Sequence, residues 1–167
     1  MGLTHLDENG NVVMVDVGGK DISLRIAKAQ GTIWMSRDAF DAIMSDRVKK
    51  GNVLATSKVA AIMAAKNTSS TIPLCHPLPI DQISIEFFPE KGNACIQVQA
   101  EVRVSGKTGV EMEAIHAVAI ALITIYDMTK AIDRSMVIGE ICLCEKSGGK
   151  SGQFIREQGK DVTVHGQ

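Results

Sequence analysis

The sequence predicts an α+β domain, an antiparallel sheet covered on one face by helices, and three observations carry that prediction. Ile83, Ile85 and Phe87 alternate with Ser84 and Glu86; after a turn at Pro89 to Asn93, Ile96, Val98, Ala100, Val102 and Val104 alternate with polar residues. That period of two marks a half-buried hairpin. The thirteen residues from Ala114 to Tyr126 carry no charge if His116 is neutral, with Ile115, Val118, Leu122 and Tyr126 at helical spacing. Finally, the elements run strand, helices, strand, strand, helix, strand. This order matches the split βαβ arrangement of ferredoxin-like α+β domains.

Taken in order, residues 1–21 are polar and turn-rich, with Asn9-Gly10 and Gly18-Gly19 around a short MVDV segment, and read as a flexible arm. A first strand is expected from Ser23 to Met35, with Leu24, Ile26, Ile33 and Met35 as its apolar markers. Ser36 has the chemistry of an N-cap for a helix carrying Phe40, Ile43 and Met44 on one face. Lys49-Lys50-Gly51 breaks that helix, and Asn52 caps the next, whose apolar stripe is read as Val59, Ile62 and Met63. Lys50 therefore sits at the hinge between two helices. The segment IPLCHPLP from Ile72 is extended and stiff, because each residue before a proline is pushed out of helical conformation; it presents Cys75 and His76 in a fixed pose. A last strand runs from Val137 to Lys146, followed by a glycine-rich loop. The expected organisation is an arm at 1–21, one domain at 22–154 and a polar tail at 155–167.

The chain has 167 residues, 45% hydrophobic and 22% charged, ordinary for one globular domain with a substantial core. Eighteen basic residues balance nineteen acidic ones, which gives no electrostatic case for nucleic-acid binding. The uncharged run is shorter than the roughly 20 residues that a bilayer requires, and no stretch reads as a signal peptide. Four cysteines, Cys75, Cys95, Cys142 and Cys144, show no disulfide or CxxC pattern, so reduced thiols and a cytoplasmic location are expected.

The helix through Ala114–Tyr126 has charges at both tips: Glu111 and Glu113 at one end, Asp127 and Lys130 at the other. At about 1.5 Å per residue the tips lie about 20 Å apart. If both serve one site, that site forms between subunits. Glu111 and Glu113 either complement the helix dipole or bind the donor edge of a guanine-like base. Asp127 and Lys130 form either a salt bridge or an acid–base pair in which each tunes the other's proton affinity. The lysines at element ends, Lys50, Lys107, Lys130, Lys146 and Lys150, are either solvated or gathered by folding into a polyphosphate pocket. Neither Gly106-Lys107-Thr108 nor Gly149-Lys150-Ser151 makes a P-loop, since Glu101 and Cys144 stand where the first glycine belongs. Zinc on Cys75, His76, Cys142 and Cys144 is a minor alternative with no standard spacing.

Several long motifs carry a close resemblance. MVDV at Met14, KKGNVLATSKVAAIMAAK from Lys49, IPLCHPLPI from Ile72, GKTGVEMEA from Gly106, TIYDMTKA from Thr124 and KSGGKSG from Lys146 resemble the cyclic pyranopterin monophosphate synthase family, over Thr4 to Phe154. The resemblance implies a ferredoxin-like subunit assembled as a hexamer, a trimer of dimers with active sites at dimer interfaces. It implies rearrangement of 3′,8-cyclo-7,8-dihydroguanosine 5′-triphosphate to cyclic pyranopterin monophosphate with release of pyrophosphate, in molybdenum cofactor biosynthesis. The family's catalytic aspartate then falls on Asp127, with Lys130 and Lys50 beside it. His76, Glu111 and Glu113 match the family's histidine and glutamates, and Leu74, Cys75, His76, Met112 and Glu113 match substrate-binding positions. Lys146, Lys150 and Arg25 are expected to reach phosphates. No resident metal or cofactor is expected, with magnesium possible on the triphosphate.

Overall fold

The computed structural model describes residues 10–150 and 152–157. The readings that concern residues 1–9 of the arm, Ser151 and residues 158–167 of the tail lie outside them. The elements are β1 (Ser23–Trp34), α1 (Arg37–Met44), α2 (Val53–Lys66), α3 (Thr68–Thr71), β2 (Gln82–Glu90), β3 (Cys95–Gly106), α4 (Glu111–Thr129), β4 (Val137–Ser147) and β5 (Phe154–Ile155). The strands form one sheet in the order β2-β3-β1-β4-β5, with every pairing antiparallel. β1 and β2 run the same way with β3 between them, so the expected α+β architecture is present. Helix α4 lies across β1, β3 and β4, and α2 packs on α4 and β2.

Local chemistry sets the helix starts. Ser36 accepts a hydrogen bond from the Ala39 N–H at 3.3 Å, and Asn52 accepts one from the Ala55 N–H at 2.8 Å, both as expected of N-caps. Asp133, in the loop after α4, ties the two ends of the domain together. Its Oδ2 accepts from the Ser36 N–H at 2.7 Å, and its Oδ1 from the Ser135 N–H and hydroxyl. These bonds hold the Asp133 carboxyl below its ordinary pKa, that from the Ser135 side chain first.

The core differs from the sequence reading in which residues face inward. In β1 the helix-facing residues are Ala27, Ala29 and Ile33, all buried, whereas the expected marker Leu24 is exposed. In α2 the buried residues are Val53, Ser57, Ala61, Ala64 and Ala65. Of the stripe read from the sequence, Ile62 packs against the core, whereas Val59 and Met63 point away and are each 58% exposed. Both differences have one cause. Small side chains let α2 and β1 approach α4 closely, so larger apolar residues at neighbouring positions are left on the outside. Helix α3 and the short strand β5, neither anticipated, complete the described chain. The sheet's other face is polar at its centre, where Lys28 bridges Glu145 at 3.0 Å and Glu101 at 3.5 Å.

With 19 residues, α4 is longer than its uncharged run, and by length and composition alone it could cross a membrane; half of the stretch is buried inside the domain. It approaches the sheet tightly at Gly31, where a Cβ would lie 2.8 Å from Leu122 Cδ1 and 2.9 Å from Val118 Cγ1 of the helix, and 2.9 Å from Ile141 Cγ1 of β4. Gly31→Ala is expected to cost about 1–3 kcal/mol by overpacking, read as a lower urea midpoint. Gly92→Ala, where a Cβ meets only a side-chain oxygen at 3.7 Å, should change stability by less than about 0.5 kcal/mol. Equal effects would contradict the close-approach argument.

Candidate active site

Strand β3 delivers the chain to Gly106, and a short turn leads into α4 without a side-chain cap. Any Cβ on Gly109 would collide with the Glu111 carboxylate, so glycine lets that side chain fold back over its own turn. Facing it is the loop with Pro73, Pro77 and Pro79, in which the Cys75 N–H donates to Ile72 O at 3.1 Å. Between them is a cleft of about 360 Å³ lined by Leu74, Cys75, His76, Met112 and Glu113. Val15 and Val17 of the arm wall its outer side.

Glu113 is only 4% exposed. Burial pushes its pKa up, and the nearby Glu111 adds to the rise while its own backbone N–H opposes it. Its carboxyl thus sits in the cleft wall in an environment that disfavours its charged form. Burial, then Glu113, also push the Cys75 thiol up. Cys75 is thus held as a neutral thiol and not as a thiolate nucleophile.

A second cleft, of about 590 Å³, adjoins the first and is lined by Lys20, Arg25, Lys107, Lys146 and Lys150. Lys20, Thr108, Gly109 and Glu111 line both clefts. The register explains the clustering: Ala27 faces the helix and pairs with Lys146, so Lys146 also projects to the helix side and bridges Glu111 at 3.0 Å. Arg25 shares that face, with Nε and Nη2 at 3.4 and 3.5 Å from the carbonyls of Gly106 and Lys107. Five cations against Asp21 and Glu111 give this cleft a predominantly positive lining.

At the other end of α4, Asp127 is held from two sides. Lys130 Nζ meets its Oδ1 at 2.8 Å, one helical turn away. Lys50 Nζ, from the α1–α2 link, meets both Oδ2 and the Asp127 carbonyl at 2.8 Å. A cation on that carbonyl also complements the negative end of the helix dipole. Hydrogen bonds from Lys130 and then Lys50 lower the Asp127 pKa to about 2.

The structure therefore brings the sequence-predicted residues together in two groups. Leu74, Cys75, His76, Glu111, Met112, Glu113, Arg25, Lys146 and Lys150 share the paired clefts, and Asp127, Lys130 and Lys50 form a separate cluster. Because α4 is continuous, about 20 Å of helix separates them within one chain. Lys20 was not anticipated, although it lines both clefts; its signal was the lysine closing the MVDVGGK segment. Among the described residues, no three His, Cys, Asp or Glu side chains gather as metal ligands.

Residues 14–149 match the MoaC family model. The chain belongs to the MoaC family. Relatives named cyclic pyranopterin monophosphate synthase include that of Thermoanaerobacter sp. (strain X514), 53% identical over 94% of this chain and 99% of the relative. That of Campylobacter jejuni is 51% identical over 93% of this chain and 99% of the relative. That of Desulforapulum autotrophicum is 50% identical over 93% of this chain and 95% of the relative. The family match takes in every residue of both groups except Lys150, which lies one position beyond its end.

The Asp127 cluster makes a direct prediction within this family member. Since the folded pKa lies below the ordinary 3.8, the stabilisation from this group is present above the ordinary range and is lost as pH falls through about 2. Lys130→Met should raise the Asp127 titration farther than Lys50→Met, as followed by carboxyl-carbon NMR. A titration that neither substitution moves would show that the lysines do not hold the acid in solution.

Proposed function

We propose that this protein is a lyase that converts 3′,8-cyclo-7,8-dihydroguanosine 5′-triphosphate to cyclic pyranopterin monophosphate and pyrophosphate, in molybdenum cofactor biosynthesis. The observation that carries this reading is the pairing of a purine-sized cleft, with a buried carboxyl, and a cationic cleft beside it. The names of the relatives, at about half identity over nearly their whole length, support it. Glu111, Glu113 and His76 hold the purine-derived part, with Leu74, Cys75 and Met112 as its walls. Arg25, Lys146 and Lys150 hold the phosphates, and any magnesium enters with the triphosphate as part of the substrate.

Asp127, Lys130 and Lys50 form the group that serves the proton transfers. With its pKa near 2, Asp127 stays a carboxylate at neutral pH and is a poor base; its role is to aim the two lysines. The lysines then donate and accept protons as the imidazole ring opens and the pterin ring closes. In the phosphate step a substrate hydroxyl attacks the α-phosphorus and loses its proton to a lysine that has given up its own during the ring rearrangement. The bond to the bridging oxygen breaks, and pyrophosphate leaves with its growing charge on the cationic cleft.

The reading needs two chains. Antiparallel pairing of α4 with its copy across a two-fold axis brings the Glu113 end of one subunit to the Asp127 end of the other. Val59, Met63 and Ile123, all more than half exposed on α2 and α4, supply apolar surface for that contact. Three such dimers make the hexamer of this reading. Its workplace is the cytoplasm, in keeping with four free cysteines.

A purified Asp127→Asn variant is expected to stay folded, with only a small fall in its unfolding temperature, and to turn over at least about 100-fold more slowly; normal turnover would favour a non-catalytic nucleotide-binding oligomer. Inactive Glu113→Ala and Lys130→Ala chains, mixed under exchange conditions, should recover about a quarter of the wild-type activity, because half of the dimers are mixed and each has one intact site. No recovery despite verified mixing rules out shared sites.

A further inference from the structure

The arm contains a small turn that is closed on itself. The Gly18 N–H donates to Asp16 Oδ1 at 2.7 Å, and the Lys20 N–H donates to Val17 O at 3.1 Å. A tie from the body of the domain reaches this turn: Lys107 Nζ donates to the Gly18 carbonyl at 2.6 Å. Lys107 directly follows β3, so it is fixed by the sheet. Immediately beyond the tied carbonyl, Lys20 lines both clefts, and immediately before it Val15 and Val17 wall the smaller one.

We propose that Lys107 is a positioning residue whose ammonium hooks the turn at residues 16–20 onto the site, and that Lys20 is the cation the hooked turn supplies to the substrate's phosphates. An ammonium on a carbonyl makes a charge-assisted bond, stronger than a neutral one. Here it replaces the ordering that a short polar arm lacks by itself. The hook thus converts a peripheral segment into a preformed wall and reduces the ordering cost on binding. Two lysines of the cationic cleft then have different jobs: Lys107 acts through the backbone of Gly18, and Lys20 acts on the ligand. The identity of that ligand as a polyphosphate rests on the function proposed above.

Inorganic triphosphate, titrated calorimetrically into the full chain, tests this with Lys107→Met, Lys107→Arg, Lys20→Met and the Lys107→Met/Lys20→Met double variant. Hydrogen exchange of the Gly18 and Lys20 amides is measured alongside. Lys107→Met should speed that exchange and weaken triphosphate binding roughly tenfold. Lys107→Arg should restore most of both, because a guanidinium can donate to the same carbonyl. The double variant should bind no more weakly than Lys20→Met alone. Additive losses would make Lys107 a direct phosphate ligand and overturn the proposal, as would unchanged exchange in Lys107→Met or a wild-type protein that binds no triphosphate. If the expected pattern appears but the wild type forms no pterin, the hook stands and the proposed reaction fails.

Discussion

Helix α4 lies so close to the sheet that Gly31 has no room for a methyl group, and the rest of the structure follows from that approach. The buried faces that meet there are built from small residues, Ala27 and Ala29 on β1 and Ala114, Ala117 and Ala121 on α4, with Val118, Leu122 and Ile125 filling between them. Dense packing of this kind leaves the helix no freedom to tilt or slide. Its two charged ends are therefore fixed in space by its middle. The same rigidity keeps Glu113 and Asp127 apart, so the packing that stabilises the chain also prevents one chain from closing one small site. The outward Val59, Met63 and Ile123 lie on the helical layer, where a second copy would have to join.

The acids at the two ends are tuned in opposite directions by opposite means. Glu113 is buried, and desolvation raises its pKa; Asp127 is exposed, and two lysines lower its pKa. A helix dipole alone would do the reverse, favouring the anion at the N-terminal end and opposing it at the C-terminal end. Specific neighbours thus outweigh the dipole at both positions. The result is one carboxyl that gains most from a ligand's donors and another already satisfied by its own cations. That contrast is what the proposed roles, Glu113 in recognition and Asp127 as the partner of two lysines, would require.

Much of this was legible in the sequence where a single period or a single residue type decides the outcome. The hairpin of β2 and β3 follows from strict alternation, and Ser36 and Asn52 cap the helices they were expected to cap. Orientation was harder. Leu24, Val59 and Met63 look like core residues by hydrophobicity, yet the core at those places is made of alanine and glycine, because approach distance and not side-chain size governs which face goes inward. The clustering of cations was legible only as element ends, since it depends on strand register: Lys146 joins Arg25 because both share the helix-facing side with Ala27. Lys20 escaped notice because the turn before it meets the body of the domain through Lys107 and the Gly18 carbonyl, a contact spanning 89 positions of chain that no local pattern contains.

The glycine loop after β4 shows how a familiar composition can serve a different physical end. Its sequence suggests a phosphate cradle built from backbone N–H groups, but Gly148 and Gly149 have φ of +98° and +73°, and a Cβ on either would strike Arg25 or the backbone of Leu24. Glycine is needed there so that the loop can close over a guanidinium. Arg25 in turn reaches the carbonyls of Gly106 and Lys107 at 3.4 and 3.5 Å, and it lines the cationic cleft. The loop therefore sets an arginine in place beside the cationic cleft, a task that needs glycine for close approach and not the spacing of a P-loop.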